Sequence, residues 1–264
     1  MALTARQQQV KDEFIAVRGT WSSAWQSILE LDADFLHAYL EWSAVPVRKH
    51  QLEEKVREFI FIAADAAATH LYEPGIRQHV RAALDLGASA AEVMEVLELT
   101  STLGIHACNI GVPLLMEVLA EEGIRTEPAP RTPHQEQLKA QFVASRGYWH
   151  EFWDGLLELD QELFAAYLEF SAVPWRTGVL PPKVKELVYI AFDAAATHLY
   201  VPGLKLHMRN AVRLGATAAE ILEVLEIVSV IGIHAATVGA PILAEELRNR
   251  DARDLDGGQA RDVV

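Results

Sequence analysis

Four residues able to carry proton chemistry recur at one fixed interval of 128 positions: Glu58 with Glu186, His70 with His198, His79 with His207, and His106 with His234. His37, His50, His134 and His150 have no such counterpart. Imidazole exchanges protons near neutral pH, which most side chains cannot do. Glu58 and Asp65, like Glu186 and Asp193, lie seven apart in a strongly apolar stretch, so they share one helix face about two turns apart. An ionised carboxylate there is costly unless it is paired or hydrogen-bonded. Each acid therefore reads either as a tie between helices or as a general acid/base with a raised pKa. The helix alone favours the tie. Three recurring histidines that follow it, two of them flanking a Pro-Gly turn, point instead to a pocket.

Arg81 and Arg209 stand two residues beyond His79 and His207 and are candidates for holding an anionic group; a surface ion pair is the alternative. Tyr72 and Tyr200 close the repeated stretch that begins at Asp65 and Asp193, and join the candidate substrate contacts. His70-x-x-Glu73 has the spacing of some helical metal sites, but Val201 replaces the glutamate in the second copy. The interval from His70 to His79 crosses a turn and fits no standard ligand spacing, so no metal is expected. There is no glycine-rich phosphate loop and no GxSxG elbow. Trp21/Trp25 and Trp149/Trp153, at i, i+4, read as core or interface.

The elements that must position these residues are helical and are written twice. Sliding the chain by 128 aligns Thr4 with Thr132 and runs without a gap to Leu119 with Leu247, as a gene duplication would leave it. The predicted organisation is a first domain over 1–122, a linker over 123–131 containing two prolines, a second domain over 132–250, and a disordered polar tail over 251–264. Thr4-x-x-Gln7, Ser89-x-x-Glu92, Thr132-Pro-x-Gln135 and Thr217-x-x-Glu220 are capping boxes. Asp32 caps a third helix expected to stop before Pro46. The helix over about 54–69 is apolar nearly all round and belongs in the interior. Gly104 and Gly111-x-Pro113 are set to bend or split the last helix of the copy. No stretch alternates as a strand does, so the predicted fold class is all-α.

The chain has 264 residues and a formal net charge of -14. That charge repels phosphates and acidic lipids, so neither nucleic acid nor a membrane surface is an expected partner, and an anionic substrate needs local positive charge. The single cysteine, Cys108, rules out an internal disulfide or CxxC pair. The N-terminus has no apolar signal core and no uninterrupted apolar run reaches about 18 residues, so a soluble cytoplasmic protein is expected.

Lys185-Glu186-Leu-Val-Tyr-Ile-Ala followed by His207-x-Arg209-x-Ala-x-x-Leu-Gly215-Ala-Thr-x-x-Glu220-Ile-x-Glu-Val resembles the carboxymuconolactone decarboxylase family, which includes the alkylhydroperoxidase D-like proteins. The likeness spans about two-thirds of each copy. It implies two tandem all-α domains and, since single-domain members form trimers or hexamers of paired domains, a homotrimer here. Peroxidase members carry a CxxC pair where this chain has His70 and His198, then Glu73 and Val201, so thiol peroxidase chemistry is excluded. Decarboxylase members use no cofactor. The resemblance therefore implies a cofactor-free lyase or isomerase acting on a small carboxylated lactone or related carbonyl compound. The resemblance carries over Glu58 and His79 with Glu186 and His207 as acid/base groups, and Arg81 and Arg209 as carboxylate contacts. The segments around His70–Tyr72 and His106 depart from the usual decarboxylase sequence, which points to a different substrate; by their recurrence alone His70 and His198 join the catalytic candidates, and Tyr72, His106, Tyr200 and His234 the substrate contacts. A metal-dependent enzyme and a non-catalytic binding or scaffold protein are the alternatives.

Overall fold

A computed structural model describes residues 2–124 and 129–259, with side chains described as far as residue 250. No strand occurs among the described residues, and the fold is all-α. The helices of the first copy are α1 (Ala5–Arg18), α2 (Ser23–Leu31), α3 (Ala33–Ser43), α4 (Val45–Lys49), α5 (Glu54–Ala66), α6 (Glu73–Asp85), α7 (Ala90–Ser101) and α8 (His106–Glu121). Those of the second are α9 (Pro133–Arg146), α10 (Phe152–Leu159), α11 (Gln161–Thr177), α12 (Pro182–Ala194), α13 (Val201–Arg213), α14 (Ala218–Ser229) and α15 (His234–Gln259). The capping boxes at Thr4, Ser89 and Thr132 form, each side-chain oxygen accepting from the amide three residues on. Short 3₁₀ turns, Thr102–Ile105 and Val230–Ile233, split the last helix of each copy at the expected glycine.

Prolines act differently in the two copies. Pro46 sits in the first turn of α4, where no amide hydrogen is needed. Its counterpart Pro174 lies inside α11, which continues to Thr177. The last helix runs on to Gln259, through Gly257-Gly258; residues 260–264, and 125–128 of the linker, lie outside the described residues.

The chain divides into two compact units, Met1–Gln51 with Ser229–Val264, and Leu52–Val228. Neither unit coincides with one copy. In the first, α15 of the second copy packs on α2 of the first, with Ala236 and Ala240 against a core of Val10, Phe14, Ile28, Leu29, Leu36 and Leu40. In the second, α8 of the first copy packs on α10 of the second. They lie so close that a Cβ on Gly155 would stand 2.9 Å from Val112. Each copy thus sends its last helix to the other copy's N-terminal helices.

The centre of the second unit is α5 against α12, with α6 and α13 beside them. Phe59, Ile60, Ile62, Leu187, Val188, Ile190 and Phe192 are buried there. Two repeat-related ion pairs hold the copies together: Arg57 lies 3.8 Å from Glu223, and Lys185 meets Glu95. Glu223 also accepts from the amide of Leu52, and Glu95 from those of Val179 and Leu180. In each glutamate Oε1 faces the cation and Oε2 accepts the amide hydrogens, so pairing and hydrogen bonding together offset the cost of burial.

By length and composition alone, Ala90–Glu121 and Ala218–Arg250 are apolar enough to cross a membrane, which differs from the expectation drawn from uninterrupted runs. The polar residues that interrupt the first stretch, Thr100, Thr102, His106 and Asn109, are buried. Ile110, Leu114, Leu115 and Val118 are exposed instead.

Candidate active site

The second unit contains one acid–histidine pair from each copy. His207, on α13, bonds through Nδ1 to Glu186 Oε2 on α12 at 2.6 Å; His79 bonds through Nδ1 to Glu58 Oε2 at 2.7 Å. Glu186 and His207 are buried, and Asn210 donates to the second Glu186 oxygen at 3.4 Å. The imidazoles are held flat against aromatic rings, His207 on Tyr189 at 4.2 Å between centroids and His79 on Phe61 at the same distance. With Nδ1 turned to the carboxylate, Nε2 is the ring atom left for another partner.

His207 lines a small cavity of about 20 Å³, room for roughly one water. Arg146, Tyr148, Tyr167, Tyr189 and Tyr200 share its wall with His106 and Asn109, which come from the first copy's α8. Arg146 donates to the Tyr189 hydroxyl at 3.1 Å and lies over the Trp175 and Tyr189 rings. Its Nε is buried without a hydrogen-bond partner, and among the described residues no carboxylate pairs with it. Burial raises the pKa of both Tyr148 and Tyr167, and that of Tyr200 to about 12, so all three stay neutral hydroxyls.

His198 and Tyr200 reach this region from the turn between α12 and α13. The chain reverses through Leu199 at φ 50, and through Leu71 at φ 48 in the first copy. A left-handed leucine is strained by about 1–2 kcal/mol, and both leucines are exposed, so their own packing does not compensate it. The turn is tied by Tyr200 N–H to the Asp193 carbonyl at 2.9 Å and by His198 N–H to the Ala195 carbonyl at 2.8 Å. His106 stacks on Tyr200 at 3.8 Å, and its Nδ1 meets His198 Nε2 at 2.6 Å. Burial, then the nearby His198 and His207 charges, lower His106 to about 3; burial also lowers His70 and His198. Desolvation raises Asp65 and Asp193 to about 7. The Pro-Gly that opens α13 is explained by Asp193: a Cβ on Gly203 would stand 2.5 Å from its Oδ2 and from the Tyr200 ring.

The structure therefore joins Glu58 to His79, and Glu186 to His207, and brings His106 to His198 and Tyr200. Arg81 and Arg209 are exposed, and Arg81 lines an open groove on α6 with Glu73 and Arg77. The cation in the cavity wall is Arg146. Its recurrence as Arg18 was visible in the sequence, but it lies 61 residues from His207 in the chain, so spacing did not connect them. Tyr148 and Tyr189 left no repeat signal, because Thr20 and Phe61 occupy the related positions. Tyr72 is half-buried in the second unit, and His234 opens α15 in the first.

Comparison with known proteins agrees with this architecture. The family model described as "Carboxymuconolactone decarboxylase family" matches residues 33–106 and again 161–245. A crystal structure from Burkholderia xenovorans LB400, described as a candidate γ-carboxymuconolactone decarboxylase subunit, is similar to this chain. Its sequence is 56% identical, with a TM-score of 0.89, over 92% of this chain and 98% of that one. No curated protein matches the chain. With a family model matching it twice and a relative of this identity along nearly its whole length, the chain belongs to the carboxymuconolactone decarboxylase family.

Proposed function

We propose that this protein is a lyase or isomerase acting on a small carboxylated lactone or related carbonyl compound by acid–base chemistry. The observation that carries this reading is the Glu186–His207 pair at 2.6 Å, facing a cavity that also presents Arg146. Glu186 holds the imidazole with Nδ1 toward itself, so Nε2 takes or delivers the proton at the substrate carbon. In a decarboxylation the carbon–carboxylate bond breaks, its electron pair moves into the adjoining carbonyl system, and the carbon left behind is reprotonated. In an isomerisation the same group removes a proton and returns it elsewhere. Arg146 and the tyrosine hydroxyls orient the anionic group. No step in this path calls on a cofactor. Since the cavity admits about one water, a substrate enters only as the lining rings turn aside.

The repeat-related Glu58–His79 pair supports a second site in the same chain. Turnover of carboxylated lactones and β-keto acids, followed as substrate loss or CO₂ release, tests the assignment. His207→Ala is expected to cost its site on the order of 100-fold or more, leaving the His79 site's share. The double His79→Ala/His207→Ala variant should be inactive, and undiminished turnover by it would refute the reading.

The assembly proposed is a homotrimer. The family relative from Burkholderia xenovorans is described as a subunit. Here α8 exposes Ile110, Leu114, Leu115 and Val118, while α15 exposes the repeat-related Val238, Ile242 and Leu243. Two like apolar faces per chain suit closure by further copies of the same chain.

A further inference from the structure

His106, His198 and Asp193 form a cluster that the proton path above does not use. We propose that His106 Nδ1, His198 Nε2 and an Asp193 carboxylate oxygen bind a divalent transition-metal cation. The three donor atoms lie within 4.8 Å of one another, with Asp193 Oδ1 3.7 Å from His106 Nδ1. Two imidazoles and one carboxylate on a single side of an ion, other positions left open, are the donor set of Fe²⁺, Mn²⁺, Co²⁺ and Zn²⁺ sites. Donors on an ion with bonds near 2.1 Å stand about 3.0–3.4 Å apart, so the Asp193 oxygen at 3.7 Å closes on His106 Nδ1 by a few tenths of an ångström to about 0.7 Å. The two imidazole nitrogens, now 2.6 Å apart, part by well under 1 Å.

A second observation is independent of donor spacing. Asp193 is fully buried, and both its carboxylate oxygens lack a hydrogen-bond partner. A carboxylate in that setting is costly, and a cation is what offsets the cost most directly. The left-handed Leu199 adds a reason for the strain, because the turn through it sets His198 against His106 and ties the backbone back to Asp193. The same three residue types recur at Asp65, His70 and His234.

The inference rests on this geometry and not on the acid–base reading, and its test involves no turnover. Untagged full-length protein, treated with chelator and dialysed, is titrated with Co²⁺ while visible d–d absorption is recorded. Saturable absorption is expected in the wild type. His198→Gln and Asp193→Asn should each remove the part of it due to this cluster, weakening that binding by at least the roughly 10- to 100-fold seen when only an outer partner of a ligand is lost. The signal lost in both variants alike belongs to this triad. His134→Gln, an exposed histidine, controls for surface binding and should titrate as wild type. Helical circular dichroism shows whether each variant is folded, and His198→Gln, at a half-buried position, is the variant expected to tolerate the change best. A wild type without saturable absorption, or a signal that survives in both folded ligand variants, overturns the proposal.

Discussion

A guanidinium with a buried, unpartnered Nε is costly unless an anion meets it, which is why Arg146 draws more weight than Arg81 or Arg209. All three were visible as recurring arginines, but spacing favoured the two nearest the histidines, and a helix turns those outward. Hydrogen bonds to a charged group contribute about 1.5–3 kcal/mol. Arg146→Gln should therefore raise KM for a carboxylated substrate about 10- to 100-fold with little change in kcat, as expected when an interaction common to ground and transition states is lost. Steady-state kinetics decides this, and an unchanged KM would remove Arg146 from the site. The pairings of Glu58 with His79 and Glu186 with His207 followed from residues already singled out in the sequence. Which histidine met which acid did not, because His198 and His207 differ only in how a nine-residue stretch of chain turns between them.

At the scale of the helix, the capping boxes were readable because a cap is local: four consecutive residues contain donor, acceptor and geometry. Thr217 and Glu220 illustrate it, with Thr217 N–H to Glu220 at 2.8 Å and Glu220 N–H to Thr217 at 3.1 Å. Burial alone would raise the Glu220 pKa; hydrogen bonds from Lys183 and from Thr217, with the Lys183 charge, outweigh it and leave it lowered. A lowered carboxylate stabilises the fold above its unfolded pKa, and that stability is lost as the pH falls through the folded value. Glu220→Gln should thus lower Tm at pH 7 by a few degrees, about 1–2 kcal/mol, and the gap should close as the pH drops below the ordinary value of 4.5. Thermal melts at pH 7 and pH 3 test it; an equal gap at both would mean that the charge contributes nothing. The path of α11 through Pro174 was not readable, since a proline's local preference is to stop a helix and only its surroundings keep this one going.

For the whole molecule, the expected assembly is three chains joined through the exposed faces of α8 and α15. Light scattering or sedimentation should give three times the 29.3 kDa chain mass, and Leu114→Glu with Ile242→Glu should lower it. A wild-type monomer would sink the trimer. The duplication, the all-α class and the recurring acid–histidine set were determined by the sequence alone, because repeats, helix periodicity and caps are all short-range patterns. Only the tertiary structure decided that the first copy's last helix packs on the second copy's α10. That places His106 beside His198, Tyr200 and Asp193, which lie 87 to 94 residues away along the chain. Self-similarity reports which residues were copied, whereas long-range packing alone determines whether a helix returns to its own copy or crosses to the other. In this chain it crosses, and the cavity holding Arg146 and His207 is lined from both copies.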